Sequence, residues 1–172
     1  MDNMATRRQR IIDIDGTDVV SAALMALLNQ FPGLDGRTIA FSTLSESTGI
    51  SMFPTSGAVI IKNQENVLGE VHQVCAYPFD IVYRAALKTD RHKMRVKEFL
   101  DTLGKWLEKQ PVTISDDVYQ LATYPAIGEN RKIDSIMRTT PAYLYAVSQD
   151  GIEDWMISGQ LRYEVDYNKY TE

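Results

Sequence analysis

Residues 11–20 read IIDIDGTDVV and carry the densest chemistry in the chain. Two carboxylates, Asp13 and Asp15, stand two residues apart, and a glycine and Thr17 follow them directly. Carboxylates can serve as nucleophiles, as general acids or bases, and as ligands for Mg²⁺. The same string also has a structural interpretation, in which residues 11–14 are a short extended entry and Asp15 or Thr17 caps the helix that follows.

The string resembles the D-x-D-G-T motif of the haloacid-dehalogenase-like phosphatases. That resemblance implies Asp13 as the nucleophile that attacks a phosphoryl group, Asp15 as the general acid or base, and a Mg²⁺ ion beside them. The family places its motif after a buried strand of a parallel sheet, but here RRQR at 7–10 precedes only two isoleucines. Its other site residues could be supplied here only by forced matches: Ser42, Lys62 and the pair Asp116-Asp117.

The phosphatase fold also needs repeated β-α-β units, because parallel strands require long crossover connections. This chain has two convincing helical patterns, and its second half is mostly hairpins. We therefore favour the structural interpretation of the motif and predict no catalytic residues, no cofactor and no metal. The phosphatase built on Asp13 and Asp15 remains the alternative, and a small interaction domain of unknown partner is a third possibility.

Other candidate sites are weaker. His72 and Cys75 lie three residues apart on a predicted strand, which points them to opposite faces and prevents a shared metal. His92 stands at a helix start, where we expect it to be solvated. The sequence contains no P-loop, no G-x-S-x-G and no H-E-x-x-H.

Composition sets broad limits. The chain has 172 residues, of which 44% are hydrophobic and 24% charged, so it can form one globular domain with a real core. The net charge of −5 argues against affinity for nucleic acid. The single cysteine cannot form an internal disulfide, and we expect a reducing compartment. We find no secretory signal and no apolar run long enough to span a bilayer, and so we expect a cytoplasmic site of synthesis and assembly.

Hydrophobic periodicity defines the elements of the first two thirds. A helical pattern runs from Thr17 until Phe31-Pro32-Gly33 stops it, and a second runs from a cap at Asp90 to Pro111. The apolar stripe of the second helix comprises Met94, Val96, Phe99, Leu100, Leu103, Trp106 and Leu107. Strands are predicted at 37–44, at 58–62 and, with Pro78 at a bend or edge, at 69–87. The stretch 44–57 is predicted as a loop, and 112–131 as a strand followed by a loop.

The last third alternates in the manner of a sheet. Strands are predicted at 132–140 and 142–147, then a turn at 148–151 with Asp-Gly, then a long strand over 153–167 with a bulge at Ser158-Gly159. The whole pattern predicts an α+β fold: a mostly antiparallel sheet flanked by two main helices, with a C-terminal β-meander. We predict a single domain over residues 1–172, with residues 1–10 as a flexible tail.

The order of these parts carries a second resemblance. An N-terminal amphipathic helix and strands precede GEVHQVCAYPFDIVYRAA, the helix RVKEFLDTLGKWLEKQ and the closing segment TTPAYLYAVSQDGIEDWMISGQLRYEVDY. This order resembles the tail terminator, or minor capsid, proteins of long-tailed bacteriophages and prophages. The resemblance is clearest over residues 67–168, where it includes Thr140-Pro141 followed by an aromatic residue and a last strand that alternates tyrosine with charge.

The resemblance implies a structural protein of the virion. Its members form a ring, typically a hexamer, at the head-proximal end of the tail tube, where the ring stops polymerisation and joins the tail to the head connector. The implied partners are further copies of the chain, the tail tube protein and the connector, with no membrane. DNA passes through the lumen without specific binding, and an acidic chain suits that role because like charges repel.

A ring requires two different surfaces that meet head to tail. Tyrosine and tryptophan are enriched at protein interfaces, and both crowd the last hairpin. We therefore predict the subunit interface on the last strand and the loop 44–57. The candidate residues are Trp155, Leu161, Tyr163, Val165 and Tyr167.

Overall fold

The computed structural model describes residues 11–86 and 89–171. Two helices and nine strands follow one another along these residues. In chain order they are α1 (Ile14–Leu28), β1 (Ile39–Phe41), β2 (Gly49–Pro54), β3 (Val59–Glu65), β4 (Glu70–Ala86), α2 (Asp90–Leu107), β5 (Val112–Ile114), β6 (Asp117–Tyr119), β7 (Arg131–Arg138), β8 (Tyr143–Val147) and β9 (Ile152–Asn168). The prediction of an α+β fold with a mostly antiparallel sheet and two main helices is confirmed.

Seven strands form the main sheet, and two long ones organise it. β4 and β9 pair antiparallel over their whole length, from Glu70 opposite Asn168 to Ala86 opposite Ile152. Two shorter strands, β2 and β3, lie end to end along the free side of β4. Along the free side of β9, β7 and β8 are arranged in the same way. The short hairpin β5–β6 forms a separate two-stranded sheet.

One face of the sheet is covered by both helices. Alternate residues of β4, from Cys75 through Tyr77 and Phe79 to Ile81, point to this face and join one core cluster with the apolar residues of α1 and α2. The period of two along a strand separates this covered face from the opposite one. Polar pairs link the two long strands on the opposite face, for example Arg84 with Asp154 at 2.7 Å.

Both predicted helices are present and bury their apolar faces, but the residue that caps each helix is not the predicted one. Asp13, and not Asp15 or Thr17, is the N-cap of α1, and Thr89, and not Asp90, caps α2. The predicted stripe of α2 is buried except at Phe99, which is half-buried, and at its start, where Met94 is 70% exposed. Leu87, which the pattern assigns to the long strand, and the predicted tail at 1–10 lie outside the described residues.

The predicted loop at 44–57 contains β2, which the prediction missed. β2 begins with a glycine and ends with a proline, and its central Ser51 resembles a loop residue in sequence. In the fold Ser51 is fully buried, and its hydroxyl donates to the carbonyl of Ala40 and accepts from the N–H of Thr43. β1 and β2 also form the one parallel pair among the described strands.

The C-terminal strands do not form the predicted meander. β7 pairs with β9 and not with β8, so the chain crosses from β7 to a position farther along the same side of β9. The predicted bulge at Ser158-Gly159 is also wrong, because β9 keeps an unbroken register with β4 there. The irregularities lie in the shorter partner strands instead, at residues 133–135 and 144–146. Gly159 is needed for space, since a Cβ would lie 2.7 Å from the ring of Phe79.

Pro78 lies inside a central strand rather than at a bend or edge. Pairing of β4 with β3 ends at Ala76, and pairing with β2 begins at Phe79. The carbonyl of Pro78 accepts from the N–H of Thr55, which places its missing N–H on the side of the gap between the two short strands. A proline is tolerated in this position because its missing N–H lies on the side where the β2 and β3 pairing is interrupted, while the pairing with β9 is unbroken.

Candidate functional site

Asp13 is the centre of a half-buried polar cluster between the first and last elements of the chain. Its carboxylate accepts from the N–H of Gly16 at 3.0 Å, which caps α1. Arg131 on β7 donates to both carboxylate oxygens, at 3.0 and 3.2 Å, and the Tyr163 hydroxyl on β9 donates at 2.7 Å. The side chains of Asp13 and Arg131 are only 11% and 16% exposed.

The electrostatics of this cluster keep Asp13 charged and Tyr163 neutral. Burial alone would raise the pKa of Asp13, but the hydrogen bonds from Arg131, Tyr163 and Gly16 outweigh it and hold the pKa below its ordinary value. Burial and the neighbouring carboxylate raise the pKa of Tyr163, so its hydroxyl remains a donor. Asp13 is therefore an ionised acceptor for the hydrogen bonds from Arg131, Tyr163 and Gly16.

The rest of the D-x-D-G-T string also has structural roles. A Cβ at Gly16 would lie 2.0 Å from a carboxylate oxygen of Asp13 and 2.6 Å from the Tyr163 hydroxyl, so only glycine fits beside this cluster. Thr17 donates its hydroxyl proton to the carbonyl of Asp13 and accepts from the N–H of Ala58. These bonds join the start of α1 to the start of β3, which favours the structural interpretation of the motif.

The structure does not gather the remaining phosphatase residues around Asp13. Asp15 is exposed in the first turn of α1. Ser42 follows β1, Lys62 lies on β3, and the Asp116-Asp117 pair lies at the turn between β5 and β6. No side-chain hydrogen bond in the described part of the chain joins Asp13 to any of these residues. An Asp13 held by arginine and tyrosine in this way cannot reach a phosphoryl group without breaking the cluster.

The histidine and cysteine are separated, as their spacing predicts. Cys75 is fully buried on the covered face, where burial raises the pKa of its thiol. His72 lies on the opposite face, with its Nδ1 2.6 Å from a carboxylate oxygen of Asp166. An open cleft of about 580 Å³ adjoins this pair, lined by polar residues and Val71 and Tyr167. Its described lining contains no serine or cysteine that His72 could activate.

Three of the five residues predicted for an interface on β9 are buried inside the chain. Leu161 and Tyr163 have no exposed surface, and Val165 is 2% exposed, because these three residues point to the face that the helices cover. Tyr167, beyond the helices, is exposed, and Trp155 is half-buried. The alternation along β9 is as predicted, but its apolar face forms the core of the chain itself.

The exposed apolar surface of this hairpin lies on β8 instead. All five residues of YLYAV (143–147) are exposed, and none carries a charge. We call these residues the β8 surface. β8 pairs with β9 on one side only, and no other described strand pairs with its outer edge. Proteins usually protect such edges with charges or proline, as β7 does with Arg131, Lys132, Asp134 and Arg138.

Two buried polar atoms lie next to this surface without a partner. Among the described residues, only Glu153 Oε2 and Trp155 Nε1 are buried side-chain atoms that make no hydrogen bond. Glu153 is opposite Val147, and Trp155 is opposite Leu144. The other carboxylate oxygen of Glu153 lies 3.3 Å from the ammonium of Lys93 on α2, which places the start of this helix beside the hairpin.

A second exposed apolar feature occupies the turn between β3 and β4. Val67 is 96% exposed, Leu68 is also exposed, and the exposed ring of Tyr170 lies against Gly69. We call Val67, Leu68 and Tyr170 the hairpin apex. The sequence signals for both features are short uncharged apolar runs, YLYAV and VLG, beside turn residues. YLYAV belongs to the hairpin whose aromatic residues suggest an interface, although the predicted interface residues lie on β9, and nothing in the sequence singles out VLG.

Comparison with known proteins leaves the family open. No protein-family model matches the chain, and no curated protein is significantly similar to it. Among solved structures, one whose name gives no function matches 90% of this chain and 97% of its own length, at 15% sequence identity and a TM-score of 0.43. Similarity at that level supports no inference about activity.

Two further properties concern ligands and membranes. Within residues 11–86 and 89–171, no group of three or more His, Cys, Asp or Glu side chains is arranged to hold a metal ion. Neither helix in these ranges is long and apolar enough to cross a bilayer.

Proposed function

We propose that this protein is a non-enzymatic assembly protein of a long-tailed bacteriophage or prophage, a tail terminator. Copies of the chain form a ring, with six as the expected number, at the head-proximal end of the tail tube. The ring stops polymerisation of the tube and joins it to the head connector. It is assembled in the host cytoplasm and becomes part of the virion, and DNA passes through its lumen without specific contacts.

The observation that carries this proposal is the β8 surface. An edge strand whose five residues, YLYAV, are all exposed and uncharged is a liability in a protein that acts alone, because it invites pairing with other chains. Its exposure is consistent with a role in which another protein covers it. The exposed strand supports assembly with other proteins in general. The reason for proposing a tail terminator in particular is the resemblance in the order of elements over residues 67–168.

The alternative phosphatase has no comparable support. Its proposed nucleophile, Asp13, is held by Arg131, Tyr163 and a helix N-terminus, and it stabilises the fold in that position. The structural interpretation accounts for Asp13, Gly16 and Thr17 without any substrate. No observation favours a small interaction domain with an unrelated partner over self-assembly.

The test is the mass of the purified full-length chain over a concentration series, measured by light scattering after size exclusion. A ring predicts a discrete species near six times the 19.5 kDa chain mass, or a concentration-dependent rise towards it. Negative-stain electron microscopy of that species should show closed rings. Mg²⁺-dependent phosphatase turnover that disappears in Asp13→Asn and Asp15→Asn would instead support the enzyme and contradict the terminator.

A further inference from the structure

We draw no further inference here: the strongest candidate, the exposed and uncharged edge strand β8 beside the unpartnered Glu153 Oε2 and Trp155 Nε1, carries nothing beyond the proposed assembly role, because nothing in the described part of the chain shows what covers it.

Discussion

Replacing Asp13 by asparagine tests whether this carboxylate stabilises the fold or performs chemistry. Asparagine keeps the size of the side chain and still caps a helix well, but it removes the charge and replaces one acceptor oxygen by an NH₂ donor that cannot accept from Arg131 or Tyr163. Arg131 would remain 16% exposed without its counter-ion, and the Tyr163 hydroxyl would lose an ionised acceptor. Breaking a buried ion pair from one side costs about 3–5 kcal/mol, and the partial exposure of this pair reduces that to about 2–4 kcal/mol.

The assay is urea unfolding followed by the fluorescence of Trp106 and Trp155. Asp15→Asn is the matched control, because Asp15 is exposed two residues away, and it should change the free energy of unfolding by no more than about 0.5 kcal/mol. The slope of the free energy against urea should stay the same in all three proteins. A loss below about 1 kcal/mol in Asp13→Asn, equal to that in the control, would refute the structural role.

The same variant has a distinct pH dependence. The pKa of Asp13 in the folded chain lies below that of an unfolded aspartate, which is about 3.9. A depressed folded pKa adds stability that is complete above the unfolded pKa and is lost as the pH falls through the folded pKa. The wild type should therefore lose its advantage over Asp13→Asn below about pH 4. A constant difference down to pH 2 would contradict this linkage.

Two other predictions concern buried contacts and can be measured by the same urea titration. Ser21→Ala leaves the fully buried Tyr77 hydroxyl without its 2.7 Å partner and should cost about 1–3 kcal/mol, most of which Tyr77→Phe should restore in the double variant. Gly104→Ala should destabilise the fold by about 1–2 kcal/mol despite alanine's higher helix propensity, because its Cβ would lie 2.3 Å from a carbon of Arg138 and disturb the pairing of that residue with Glu108. Stabilisation by either single substitution would contradict the packing described above.

Local sequence patterns were sufficient to predict most of the helices and strands. The apolar spacing of α1 and α2 identifies both helices to within a few residues, since a buried stripe on a helix requires that spacing. The Asp150-Gly151 turn was equally clear: Gly151 has a φ of 77°, which glycine adopts without strain. The alternation along β4 and β9 likewise predicted two long strands with one apolar face each.

The failures came where distant residues decide the outcome. The short strand β2 pairs with β1 and β4, and its Ser51 finds partners at Ala40 on β1 and at Thr43 just after it. No local signal distinguishes such a serine from a loop residue. The pairing of β7 with β9 instead of β8 depends on which edge of a long strand remains free. Neither the presence of β2 nor the partner of β7 can be predicted from the periodicity of the strand itself.

The sequence by itself determined that the last strand has one apolar face, and that the D-x-D-G-T string begins a helix. It could not determine which face of that strand would be covered, because a period of two defines two faces and does not say where the helices pack. The tertiary structure placed Tyr163 under the helices and against Asp13, 150 positions away, and left YLYAV exposed on β8. The candidate assembly surface on β8 is therefore set by which apolar residues the core does not bury.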